Sequence, residues 1–322
     1  MTIPTVPIAD QAATASGRQS RGLLKRVIVS MIVIAMLLVV FAADHAIGAA
    51  APILLAVGLG LGFGSTREML HLFRVSGITI RPTLIQSLVA VLIASNWFLP
   101  VASSAGLATF TPMANIAQLL VTFSVGVMAI FFASTHRYRA PGQNLTVVAA
   151  ELLCLVYVGL LLSILAQFRW VISPNAGYLI LTSVIIATKG GDIGAYAFGR
   201  MFGKNKMTPR LSPAKTWWGF RGALIGSTLL SVLWLSLAPK MFDPTWTRCP
   251  ILWSAVYGLV LGVVGIVGDL FESLIKRDLG QKDSSKLMPG FGGILDILDS
   301  IMYASPVALI FWLYFPPVQN WV

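Results

Sequence analysis

Apolar runs of roughly 17 to 22 residues recur along the chain, close to the ~20 that a helix needs to cross the hydrocarbon core of a bilayer. They fall near 27–43, 49–64, 83–100, 115–134, 145–167, 176–197, 219–238, 251–272 and 298–315, which predicts nine spanning helices. The second run is short and glycine-rich from Val57 to Gly64, so a tilted or irregular helix is expected there. The runs are long instead of alternating polar and apolar, which disfavours an outer-membrane barrel. No internal repeat and no soluble domain stand out. The polar, Pro/Ala/Ser-rich residues 1–22 are expected to form a disordered cytoplasmic tail. The apolar run behind them is too long for the core of a cleavable signal peptide. The expected organisation is this tail, N-terminal transmembrane helices over 23–175, and a C-terminal transmembrane region over 176–322.

Composition strengthens the membrane reading. Charged residues make up 11% of the 322, against about 25% in soluble globular proteins. Hydrophobic residues reach 57%, and mean hydropathy is +0.82. A water-facing surface cannot be built from so few charges, so the expected fold class is an all-α polytopic integral membrane protein. Cys154 lies in an apolar run and Cys249 in a short link, without metal-ligand spacing, so neither zinc nor a disulfide is expected. The net charge of +11 has a topological reading, because Lys and Arg collect on the cytoplasmic side. With the N-terminus inside, 19 of them fall on inner segments, against three outside: Arg169, Lys240 and Arg248. That split predicts an odd number of spans and an outward C-terminus, and it makes nucleic acid an unneeded partner.

Seven of the twelve acids, Asp192, Asp269, Glu272, Asp278, Asp283, Asp296 and Asp299, lie in the last 131 residues. Asp10, Asp44, Glu68, Glu151 and Asp243 are scattered. Acids in or beside hydrocarbon are costly and mark functional sites by default. Asp269, Glu272, Ser273, Lys276 and Arg277 follow helical spacing and form one polar stripe, and Asp296 and Asp299 share a second face. Carboxylates arranged this way suit Mg2+, which takes one or two of them and leaves room for phosphate oxygens. An internal salt-bridge lattice between helices is the alternative. The basic, glycine-containing segment 276–296 offers ammonium groups and close backbone approach to phosphate. A second basic segment, 199–220, follows Asp192. His45, His71 and His136 lie far from the acids, and no nucleophile–base pair stands out. Such a site suits a reaction whose attacking group is already an anion. A transporter fits less well, because the acids sit at span ends beside cations and not at midplane.

These residues resemble the signature of the phosphatidate cytidylyltransferases, the CDP-diacylglycerol synthases. The similar stretches are Ser273 to Arg277, Lys282 to Ser284, and Pro289 to Ser300 with Gly290, Gly292, Gly293, Asp296 and Asp299. Asp192 to Tyr196, Ser212 to Phe220 and Gly268 to Ser273 are similar too. The resemblance implies transfer of CMP from CTP to phosphatidic acid in a bacterial inner (plasma) membrane, with Mg2+ and a second cation such as K+. It implies catalytic roles for Lys276, Arg277, Lys282, Asp283, Asp296 and Asp299. Ser212, Lys215, Thr216, Ser273, Gly290, Gly292 and Gly293 would bind substrate, and Asp192, Asp269 and Asp296 would hold metal. CTP, phosphatidic acid and bilayer lipid are the implied partners, and a homodimer is left open. The sequence departs from the family pattern at Gly191, Ile193, Trp218, Phe291 and Ile297. Those departures keep open an alternative, a divergent paralogue that acts on another lipid phosphate or binds lipid without catalysis.

Overall fold

The computed structural model of the protein describes residues 39–44, 46–48, 50–142, 144–170, 176–282, 284, 285 and 292–315. The tail over 1–22 and most of the first expected span lie outside these residues, as do Asp283, Gly290 and Phe291. Residues 39–44, at the end of that span, are helical.

Three of the long helices begin on a proline: α1 (Pro52–Val75), α2 (Pro82–Ser104) and α3 (Pro112–His136). Proline suits the first helical position, where its missing N–H has no partner to lose. The first two end at Gly77 and Gly106, both at positive φ. The amides of Ile78 and Leu107 then reach back to the carbonyls of Phe73 and Ala102 at 2.9 Å, which is the glycine-closed helix end that permits a short link. Helix α4 runs from Asn144 to Gln167 with one π-helical stretch, Leu155–Leu160. Next come α5 (Gly177–Phe202), strands β1 (Lys206–Thr208) and β2 (Ser212–Thr216), α6 (Trp217–Leu237), the short α7 (Pro239–Phe242), α8 (Ile251–Asp278) and α9 (Ile294–Tyr314).

Among the described residues seven helical segments are long and apolar enough to cross a membrane, α6 and α7 counting as one. Helix α5 has spanning length at 26 residues, but Lys189 and Asp192 make it less apolar. The protein is a helical, polytopic integral membrane protein. The helical expectation holds, with one small addition: residues 206–216 form an antiparallel two-stranded hairpin. One expectation needs correction. Helix α1 is neither short nor irregular: it continues for 24 residues, past Ser65, Thr66 and Glu68. These polar side chains are buried within the protein and do not face lipid, so they do not end the helix.

Close packing in the C-terminal half comes from paired glycines four apart: Gly190 and Gly194 on α5, Gly222 and Gly226 on α6, and Gly258 and Gly262 on α8. A methyl on Gly190 would lie 3.0 Å from the Gly226 carbonyl, and one on Gly258 would lie 2.7 Å from that of Ser227. Small residues at this spacing let helix backbones approach without a hydrophobic driving force in lipid. Buried polar ties hold the N-terminal half. Asp44 accepts from the Ile53 and Leu54 amides at 2.9 and 3.2 Å and from the Tyr178 hydroxyl. Gln167 donates to Asn96 at 2.6 Å and accepts from Asn115 at 3.0 Å. Arg81 pairs with Glu151; loss of one partner would strand a buried charge, at roughly 3–5 kcal/mol. Cys154 and Cys249 are both free and buried.

A side chain on Gly222 would meet Phe198 and the Gly194 carbonyl. Gly222→Val therefore forces α5 from α6 and costs about 1–3 kcal/mol, measurable as a lowered Tm of the detergent-purified protein. Leu229→Ala, on the exposed face of α6, should leave Tm nearly unchanged.

Candidate active site

The last turns of α8 place Asp269, Glu272 and Lys276 on one face, through the spacing of three and four that a helix dictates. Asp296 and Asp299 occupy the first turns of α9. The seam between α5 and α6 sets Asp192 opposite them, and the hairpin carries Lys215 to the same place. Thr216, where the hairpin meets α6, accepts from the Gly219 amide at 3.0 Å, so its hydroxyl acts as the helix cap.

All of these groups line one cavity of about 540 Å³, within the roughly 300–1,000 Å³ of small-molecule sites. One carboxylate oxygen each from Asp269, Glu272 and Asp299 lies within 4.8 Å of the others. Two ammonium groups flank the trio. Lys215 is paired with Asp269, and Lys276 lies 2.5 Å from both Glu272 and Asp296. Lys189 pairs with Asp192 at 2.9 Å and reaches the Ser300 hydroxyl at 3.3 Å. Glu272 Oε1 is buried without a hydrogen-bond partner. A buried carboxylate oxygen left free, beside two more carboxylates, is a donor set that a hard cation satisfies. Arg200 stands on the cavity wall and donates to the Tyr196 hydroxyl at 2.9 Å.

The expected metal ligands are distributed differently. Asp269 groups with Glu272 and Asp299, while Asp192 turns to Lys189. Asp296 accepts from Lys276, from the Ser284 hydroxyl at 2.6 Å and from the Gly293 amide at 2.6 Å, so it ties a loop to a helix start. Gly292 has φ +87°, and a side chain there would strike Asp296. Arg277 is exposed, and its guanidinium bonds the Leu211 and Gln281 carbonyls at 3.4 and 3.1 Å. Lys282 is exposed as well, and Ser273 is buried on α8. Neither these three nor Ser212 are among the residues lining the cavity. Among the described departures, Gly191 packs on α6 and Ile193 is exposed. Trp218 meets the Phe202 ring at a tilt and lies beneath the Arg221 guanidinium. None of these, nor Ile297, lines the cavity. Sequence reasoning gave Lys189 and Glu68 no role. For Lys189, its three-residue spacing from Asp192 was the available signal.

A helical membrane bundle with a mixed acidic and basic cavity, where three carboxylates converge between lysines, is a membrane protein built for a charged ligand. The chain belongs to the cytidylyltransferase family, whose sequence profile it matches over residues 24–315. It is 39% identical over 166 residues to the phosphatidate cytidylyltransferase of Chlamydia pneumoniae, covering 50% of this chain and 53% of that protein. With the enzyme of that name from Chlamydia trachomatis serovar D it shares 40% identity over 183 residues, 55% of this chain and 58% of the relative. The chain thus spans little more than half the length of these two. Its similarity to the Mycobacterium bovis phosphatidate cytidylyltransferase extends further, at 32% over 252 residues, 77% of this chain and 76% of the other.

Burial is the largest single influence on the Lys215 ammonium and pushes it down, but the carboxylates around it, Asp269 foremost and then Asp192 and Asp299, together outweigh burial, and the net direction is up from the ordinary lysine value. Lys215 therefore keeps its proton, and stays unreactive, as pH rises through the range where exposed lysines lose theirs. Amine acylation between pH 9 and about 11, read by mass spectrometry, should modify exposed Lys204 and Lys206 well before Lys215. Asp269→Asn should bring Lys215 closer to them.

Proposed function

We propose that the protein transfers CMP from CTP to phosphatidic acid, giving CDP-diacylglycerol and pyrophosphate at the cytoplasmic face of a bacterial inner membrane. The observation that carries this reading is the single cavity joining the Asp269–Glu272–Asp299 carboxylates to Lys215 and Lys276, in a chain of the cytidylyltransferase family. The named relatives and the 19-to-3 split of Lys and Arg support it. That split favours nine spans, including 27–43, with the N-terminus inside and the C-terminus outside.

A phosphate oxygen of phosphatidic acid attacks the α-phosphorus of CTP, and the bond to the β-phosphate oxygen breaks as pyrophosphate leaves. The attacking oxygen is already anionic, so no general base is required, and positioning and charge neutralisation carry the step. Lys215 and Lys276, both lining the cavity, neutralise phosphate oxygens. Arg277 and Lys282, exposed beyond the cavity, draw the nucleotide in. Asp269, Glu272 and Asp299 would hold Mg2+, and a second cation such as K+ belongs to the same reading. When bound, the ion supplies charge stabilisation on the transferring phosphoryl group. The acyl chains stay in the bilayer among the helices. The described departures from the family pattern lie off the cavity wall, which supports catalysis over a lipid-binding role alone.

The test is CTP-dependent transfer by purified protein supplied with phosphatidic acid. Mg2+-dependent CDP-diacylglycerol formation is expected, and Asp299→Asn should lower kcat about a hundredfold or more. Trp218→Glu should leave kcat near the wild-type value. Failure of the wild-type protein to turn over phosphatidic acid with CTP would overturn the assignment.

A further inference from the structure

The buried acid Glu68 belongs to α1, in the N-terminal half, yet among the described residues its carboxylate's hydrogen bonds reach the far end of the chain. Its carboxylate accepts from the amides of Ile294 and Leu295 at 3.0 and 2.9 Å, and from the Ser285 hydroxyl at 2.7 Å. The Ser284 hydroxyl has one hydrogen to give; Asp296 lies at 2.6 Å and Glu68 at 3.4 Å, so Asp296 takes it. Among the described residues no Lys or Arg pairs with Glu68. Its partners are instead the donors at the positive end of α9, where a carboxylate is favoured. Two glycines make room for the junction. A side chain on Gly64, one turn before Glu68, would strike Ile294, and one on Gly293 would strike Glu68 and Ser284.

We propose that Glu68 is a positioning residue of the active site. Through Ile294 and Leu295 it fixes the first turn of α9, and that turn sets where Asp296 meets Lys276 and where Asp299 meets Asp269 and Glu272. Two acids thus share the first amides of α9: Asp296 takes that of Gly293, and Glu68 takes the next two. The second acid comes from another helix, so it locks the position of α9 as well as its start. The inference rests on the nucleotidyl-transfer reading for its catalytic consequence, but the structural lock can be measured without it.

The experiment compares full-length wild-type protein with Glu68→Gln, Glu68→Asp and, as a control for a buried acid that does not line the cavity, Glu151→Gln. Hydrogen exchange is followed in the peptide covering residues 292–299, and CTP-dependent transfer to phosphatidic acid in vesicles is followed alongside. Glu68→Gln should raise exchange at Ile294 and Leu295 about tenfold and lower kcat about ten- to a hundredfold, with a smaller change in the KM for CTP. Glu68→Asp, one methylene short but still charged, should fall between wild type and Glu68→Gln. Glu151→Gln should lower stability without raising exchange in that peptide. If Glu68→Gln does not accumulate, Glu68→Asp carries the comparison. Wild-type exchange and kcat in the Glu68 variants would overturn the proposal, as would equal kcat losses in the Glu68 and Glu151 variants. If wild-type protein shows no transfer, the functional reading fails alone. Exchange at Ile294 and Leu295 then decides the lock: raised supports it, unchanged overturns it.

Discussion

A charge inside a membrane bundle needs partners, because moving it out of water costs several kcal/mol even after the protein relaxes. The acids of this chain meet that demand in two ways. Asp44, Glu68 and Glu151 are fully engaged by amides, hydroxyls or an arginine, and each ties two distant segments together. Asp269, Glu272 and Asp299 face one another instead, with a lysine on either flank and one buried oxygen left without a donor. Such a convergence of acids suits a positively charged ligand from outside the chain. The contrast separates structural acids from those that meet a ligand.

The rest of the bundle serves to hold that unbalanced trio in place. Helices α8 and α9 supply it, while the glycine seam lets α5 and α6 approach closely enough for Asp192 and Lys215 to share the cavity. A two-stranded ribbon by itself is marginally stable in water. Here the Lys215–Asp269 pair joins it to α8, and Thr216 joins it to α6 through its cap. The N-terminal helices bear on the site as well, since α1 packs against the first turn of α9 through Gly64 and Glu68.

Run lengths made the spanning helices legible, because few sequences other than membrane helices stay apolar for so long. Their ends were less legible. Helix α1 outlasts its apolar run because Ser65, Thr66 and Glu68 are sheltered by protein, and hydropathy cannot tell shelter from exposure. The hairpin at 206–216 was hidden by its basic, proline-containing composition, which lacks the alternation of a half-buried strand. The stripe of Asp269, Glu272 and Lys276 was readable because a single helix fixes its spacing. The junction at Glu68 was not, since its partners are backbone amides 226 and 227 positions away, and amides carry no sequence signal. The paired glycines at 190/194, 222/226 and 258/262 were visible as spacing, but only the packed helices show which pairs with which.

Both cysteines lie below the surface, at 0% and 3% exposure, and burial pushes the Cys249 thiol up to about 12. Neither presents a thiolate to solvent near neutral pH. The natural chain is thus a silent background for maleimide chemistry. A fluorophore or spin label attached through a cysteine introduced at exposed Arg210 would report on the hairpin without prior removal of native thiols.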